Sequence, residues 1–107
     1  MFRKISIESV EALFDGVPFS KGNTAVVICE DGTKYLALHG NPIIQHHKED
    51  GYSLSSCGWR TNTTRERLNC FLWIFMEAQI KQRDYVWYIK GREFFDGITL
   101  AEIRTCE

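Results

Sequence analysis

The sequence has no apolar run long enough to cross a bilayer. Its longest, over residues 70–76, is seven residues, against the roughly twenty that a membrane helix requires. Nor does Met1-Phe2-Arg3-Lys4 lead into the apolar stretch of about 7–15 residues that marks a secretory leader. These two absences predict a soluble, intracellular protein with no membrane partner. A charge excess is also missing: thirteen Lys and Arg oppose fourteen Asp and Glu, for a formal net charge of −1. That balance excludes a histone-like basic protein or an acidic DNA mimic by composition, but leaves room for a local patch. The four cysteines, Cys29, Cys57, Cys70 and Cys106, never fall at C-x-x-C spacing, so a zinc ribbon or thioredoxin-like site has no frame. Free thiols are expected in the absence of a leader, with Cys29 and Cys70 as small core residues.

Signatures of catalysis are equally scarce. No G-x-G-x-x-G or G-x-x-x-x-G-K-[ST] loop occurs, so no nucleotide cofactor is expected. Ser55 and Ser56 lack the G-x-S-x-G turn of a nucleophile elbow. His46 and His47 are adjacent, and adjacent strand residues face opposite ways. At most one of them can join His39, and no cysteine or carboxylate completes a set, so no metal site is expected. No catalytic residue is assigned.

What is present is a clear alternation of elements. At 107 residues the chain has room for one domain. Ser6 is read as the opening of a short helix carrying Ile7, Val10, Leu13 and Phe14, with Gly16 and Pro18 as its stop. Four strands follow over 24–29, 35–39, 43–48 and 52–57. Asp31-Gly32 and Asp50-Gly51 are read as two-residue hairpin turns, and Gly40-Asn41-Pro42 as a break. Thr63-x-x-Glu66 has the spacing of a capping box, which starts a helix near Thr64. Leu68, Phe71, Leu72 and Phe75 give that helix one apolar face, while Cys70, Trp73, Ile74 and Met76 fill much of the rest. A fifth strand is expected over 80–83 and a strongly aromatic sixth over 85–90. Thr99-x-x-Glu102 is a second capping box, for a short terminal helix over 100–104. The sum is a single α+β domain: an antiparallel sheet of about five or six strands, one main helix packed on a face, and short terminal helices.

One segment stands out for chemistry. Trp59, Arg60, Thr61, Asn62, Thr64, Arg65 and Arg67 cluster where a strand run gives way to a helix start. A helix N-terminus presents N–H groups to anions. Arginine adds bidentate phosphate contacts, hydroxyls add more, and tryptophan stacks on an unpaired base. Capping explains Thr63 and Glu66, a solvated helix face explains Arg65 and Arg67, and core packing explains Trp59. Arg60, Thr61 and Asn62 are left unexplained by that account. The charge is partitioned in the same sense: residues 1–59, 60–92 and 93–107 carry balances of −2, +4 and −3. A basic block interleaved with Trp73, Tyr85, Trp87 and Tyr88 suits nucleic acid or an acidic protein surface.

Three strings, Leu38-His39-Gly40-Asn41-Pro42-Ile43, Gly58-Trp59-Arg60-Thr61-Asn62-Thr63-Thr64-Arg65-Glu66-Arg67-Leu68-Asn69 and Val86-Trp87-Tyr88-Ile89-Lys90-Gly91, resemble a family of small bacteriophage proteins. The resemblance covers residues 22–97. It implies a phage accessory protein, in the cytoplasm of the infected bacterial host, that acts by binding host machinery or nucleic acid. The first functional expectation is therefore non-enzymatic nucleic-acid binding through residues 59–67. A second is inhibition of a host enzyme or defence complex by protein contact through the apolar surplus at Trp73 and Ile74, a surface that also suits a homodimer. A third is a small acid–base enzyme built around His39 and Ser55-Ser56, which requires a concave pocket beside His39.

Overall fold

The computed structural model describes residues 2–105; Cys106 lies outside them. Helix α1 (Lys4–Asp15) begins before Ser6, with Arg3 at the N-cap position and no side-chain cap. Ser6 is instead fully buried inside the helix. Gly16, at φ 70, closes the helix, in the left-handed conformation that glycine adopts without a Cβ penalty.

An edge strand that the sequence pattern did not reveal, β1 (Phe19–Lys21), precedes the expected meander of β2 (Thr24–Ile28), β3 (Lys34–Leu38), β4 (Asn41–His47) and β5 (Gly51–Leu54). Helix α2 (Asn62–Met76) follows, then β6 (Ile80–Arg83), β7 (Val86–Ile89), β8 (Arg92–Glu93), β9 (Ile98–Thr99) and α3 (Leu100–Arg104). The molecule is α+β. Its strands form a six-stranded sheet ordered β1-β2-β3-β4-β5-β9 and a separate three-stranded sheet ordered β6-β7-β8. Every pairing is antiparallel.

The turns differ in detail from the expected ones. At Asp31-Gly32 only Gly32 has positive φ, and the loop closes through Cys29 N–H to Thr33 O at 2.8 Å. The two-residue hairpin with both central residues left-handed occurs at His39-Gly40, φ 52 and 80, between the paired Leu38 and Asn41. Gly40-Asn41-Pro42 therefore turns the chain rather than breaking it. Pro42 sits within β4, beside a register shift between Leu36 and Ala37, and such an irregularity accommodates a residue with no N–H to donate. The aromatic strand starts at Val86, because Asp84 and Tyr85, φ 52 and 67, form a second turn of the same left-handed kind.

One register row, Val26, Leu36, Ile44 and Leu54, crosses four strands of the large sheet, and all four residues are buried. Phe14 of α1, Tyr52 of β5 and Phe71 and Phe75 of α2 join in ring contacts at centroid distances of 5.0–5.9 Å. Aromatic groups of this size dominate core burial. Leu68, Cys70, Phe71 and Leu72 are buried on α2, as its broad apolar pattern predicts. Cys29, Cys57 and Cys70 are free. Burial, with the Glu66 carboxylate as a lesser cause, pushes the Cys70 thiol up to about 11.

Candidate functional site

The connection from β5 to α2, residues 55–61, is held by a carboxylate from far along the chain. Asp96 accepts from the Ser56 N–H at 2.7 Å, the Ser56 hydroxyl at 2.8 Å and the Gly58 N–H at 3.3 Å. Burial alone would raise the Asp96 carboxyl. The hydrogen bonds from Ser56 and the Arg60 charge outweigh it and hold the carboxyl below its ordinary value. Cys57 and Gly58, φ 53 and 83, turn the chain. Trp59 is left 61 % exposed.

The N-cap of α2 is Thr61, whose hydroxyl accepts from Thr64 N–H at 3.1 Å. The expected Thr63–Glu66 capping box is not formed. Glu66 instead accepts from the Arg3 N–H and the Ser6 hydroxyl of α1, and pairs with Arg67.

This geometry opens a cleft of about 470 Å³ between two chain segments. Leu38, His39, Asn41 and Ile43 line it from the β3–β4 hairpin, and Ser56, Trp59, Thr61, Thr63 and Thr64 from the approach to α2. The Leu38-His39-Gly40-Asn41 segment and the segment beginning Gly58-Trp59 thus meet at one place. Asn41 and Thr63 were not among the expected site residues, and His39 was expected only in the acid–base enzyme reading. For Asn41 the His-Gly-Asn string of the resemblance was the signal, and for Thr63 the string beginning Gly58-Trp59; the position of the first opposite Trp59 depends on how the sheet folds.

The expected residues are only partly brought together. Trp59, Thr61 and Thr64 line the cleft, with Thr64 buried and its hydroxyl 2.9 Å from that of Thr61. Arg60 is exposed, yet its guanidinium is engaged by the protein itself. Its Nε donates to the Ser56 hydroxyl at 2.9 Å, Nη2 lies 3.6 Å from Asp96, and the guanidinium stacks over Trp87 and Phe94 at 4.9 and 5.1 Å. Arg65 bridges from α2 to the small sheet, donating to Gln82 Oε1 at 3.0 Å and to Asn62 Oδ1 at 3.3 Å. Arg67 corrects the sequence reading outright. It is 2 % exposed, and its guanidinium bonds Ser6, Glu66 and Thr24, so it faces neither solvent nor the cleft. The seven bases of residues 60–92 do not form one surface: Lys81, Arg83 and Lys90 line a separate trough on the small sheet.

Trp73 and Ile74 are exposed, 48 % and 47 %, toward the C-terminal end of α2. The pocket that the enzyme reading requires beside His39 is present, with Ser56 on its wall. The Ser56 hydroxyl, however, donates to Asp96 and accepts from Arg60 and Gly58, which spends it on holding the loop. His46 lies elsewhere, its ring 4.5 Å from that of Tyr52. Among the described residues no group of three His, Cys, Asp or Glu side chains could hold a metal ion, and no helix is long and apolar enough to cross a membrane.

Residues 2–101 match the family model described as Kyanoviridae Gp96 protein. No curated protein and no solved structure matches the chain.

Proposed function

The chain belongs to the Kyanoviridae Gp96 protein family of phage proteins, and from that premise we propose that it is an accessory protein binding single-stranded nucleic acid in the cytoplasm of the infected host. The observation that carries this reading is the convergence of the His39–Asn41 turn and the Trp59–Thr64 approach on one cleft with an exposed indole in its lining. A volume of about 470 Å³ accommodates an unpaired base and its sugar. The indole offers a stacking face, and His39, Asn41, Thr61 and Thr63 offer donors and acceptors to a base edge. A paired base cannot enter, so the reading specifies single strands. The first turn of α2 leaves N–H groups without intrahelical partners, which favours a phosphate nearby. Of the arginines of residues 59–67, Arg67 is buried, Arg65 is half-buried and bonded to Gln82, and Arg60 is exposed but paired with Asp96, so electrostatics here is local rather than extensive.

Fluorescence anisotropy with labelled oligo-dT and oligo-U, at low salt and against a duplex of equal length, tests it. Single strands should bind in preference to the duplex, and Trp59→Ala should weaken binding about tenfold, in keeping with one lost stacking contact. Equal binding of duplex and single strand, or no effect of Trp59→Ala, would overturn the reading.

A second reading rests on Trp73 and Ile74, whose exposure on adjacent positions of α2 suits a protein contact, with a host enzyme or with a second copy of the chain. Sedimentation velocity decides the homodimer directly. For a host partner, complex formation should survive nuclease treatment and be lost in Trp73→Glu.

A further inference from the structure

The small sheet carries a charged surface that the cleft does not use. Within β6, Ile80 is buried and faces the interior side with its register partner Ile89, whereas Gln82, paired with the buried Trp87, is itself exposed. Lys81 and Arg83 fall on the opposite side, with Tyr88 across from Lys81. Lys90 stands in the β7–β8 turn, at φ 50. Lys81, Arg83, Tyr88 and Lys90, together with Gln79, Gln82 and Gly91, line a trough of about 450 Å³ with three cations and no carboxylate in its wall. The Arg83 guanidinium lies over the Tyr88 ring at 5.6 Å, a cation–π contact that draws it toward the sheet. Among the described residues neither Lys81 nor Lys90 makes an ion pair. The nearby acids are Asp84, in the β6–β7 turn, and Glu93, which as the register partner of Tyr88 stands on the same side of the sheet at its β8 edge; neither lines the trough.

We infer that this face binds the phosphodiester backbone of a single nucleic-acid strand, as a track separate from the base-binding cleft. Lys81 and Arg83, two residues apart on one face of a strand, are separated by about 6.8 Å, a span comparable to that between successive phosphates of an extended strand. Tyr88 supplies a ring for a base between them, and Lys90 adds a third phosphate contact. The arrangement of a flat sheet face, interleaved cations and an aromatic ring suits a flexible single strand, whose bases are free to lie on the sheet. Arg65, bonded to Gln82, joins the start of α2 to this sheet, so one strand has a basic residue on its way from cleft to track. The inference rests on the nucleic-acid reading above and extends it.

The test is the salt dependence of oligo-dT and oligo-U binding by the full chain, for Lys81→Gln/Arg83→Gln/Lys90→Gln and for Trp59→Ala. Losing three phosphate contacts should lower the slope of log K against log salt by about 2, whereas Trp59→Ala should weaken binding and leave the slope in place. If the triple variant keeps the wild-type affinity and slope while Trp59→Ala loses affinity, the track is refuted and the cleft stands. The opposite pattern refutes the cleft and keeps the track, and an absence of binding by the wild type at low salt removes both. Should Arg83→Gln loosen the fold through Tyr88, seen by circular dichroism, Lys81→Gln/Lys90→Gln replaces the triple variant, with an expected slope change of about 1.4.

Discussion

The Arg67 guanidinium of α2 donates to the Ser6 hydroxyl of α1 at 2.7 Å, across 61 residues of sequence. The same guanidinium reaches Thr24 on β2 and the neighbouring Glu66, so one buried cation ties both long helices to the large sheet. Removing the guanidinium leaves the buried Ser6 and Thr24 hydroxyls without their donor and the half-buried Glu66 carboxylate without its counter-charge. Arg67→Ala should therefore destabilise the fold by about 3–5 kcal/mol, measured by urea unfolding. Lysine should not restore it, because a single ammonium cannot match the fork that meets three acceptors. A variant that unfolds at the wild-type urea midpoint would show that the network contributes little.

Thr61 and Thr63 separate two accounts of how α2 begins. The observed cap is Thr61, so Thr61→Ala should cost about 1 kcal/mol, whereas Thr63→Ala should be nearly neutral. Thermal unfolding of the two variants side by side decides the matter. A larger loss at Thr63 would restore the capping box that the sequence spacing suggests.

That contrast also explains how much the sequence could reveal. Thr99-x-x-Glu102 and Thr63-x-x-Glu66 have the same spacing, yet only the first forms a capping box. Glu66 is claimed by Arg3 and Ser6, some sixty residues away, and no local pattern reports that competition. The four-strand meander, α2 and α3 were legible because alternation, apolar spacing and turn residues lie within each segment. The two-residue strands β8 and β9 are too short to carry a period, and nothing in residues 80–93 says that they leave the large sheet. The candidate site was half legible. Trp59 and Thr61 were visible as unusual residues at a helix start, but His39 and Asn41 reach them only through the hairpin geometry of β3 and β4.

Asp96 holds the wall of the cleft through Ser56 and Gly58. Its carboxyl is held below the ordinary value because these bonds and Arg60 outweigh burial. A depressed folded value stabilises the protein above the unfolded carboxylate value, near 3.9, and that contribution is lost as pH falls through the folded value. Asp96→Asn should flatten the acid limb of the stability profile below about pH 4 and weaken oligonucleotide binding at neutral pH by loosening residues 55–61. Unchanged binding in a variant with a flattened acid limb would separate the loop's stability from the site.

His46 should dominate a different pH window. Burial first, then the charges of Lys34 and His47, holds its imidazole below the ordinary value, and its Nδ1 is buried with no partner. The neutral ring is the form the fold favours. Its contribution is complete above the unfolded value, near 6.5, and declines as pH falls from there toward the lower folded value. His46→Phe keeps a ring against Tyr52 and removes the unpaired nitrogen. It should gain about 1 kcal/mol and lose the stability change just below pH 6.5, read from urea midpoints at a series of pH values. A variant that retains the wild-type slope there would assign that slope to another group.

Tyr85 is 93 % exposed and held at φ 67, beside Asp84 at φ 52. A side chain in the left-handed region pays a steric cost of about 1–2 kcal/mol, which glycine avoids. Tyr85 has almost no burial to offset it, so Tyr85→Gly should stabilise the β6–β7 hairpin by about 1 kcal/mol after the added flexibility of the unfolded chain is counted. A rise in Tm of roughly 4–8 °C is expected from that gain. Tyr85→Ala serves as the control, because alanine keeps the Cβ that causes the strain and so should bring no rise. If Tyr85→Gly lowers Tm, the ring itself must stabilise the turn more than the backbone conformation costs. If both variants raise it equally, the gain comes from removing an exposed aromatic and not from the left-handed turn.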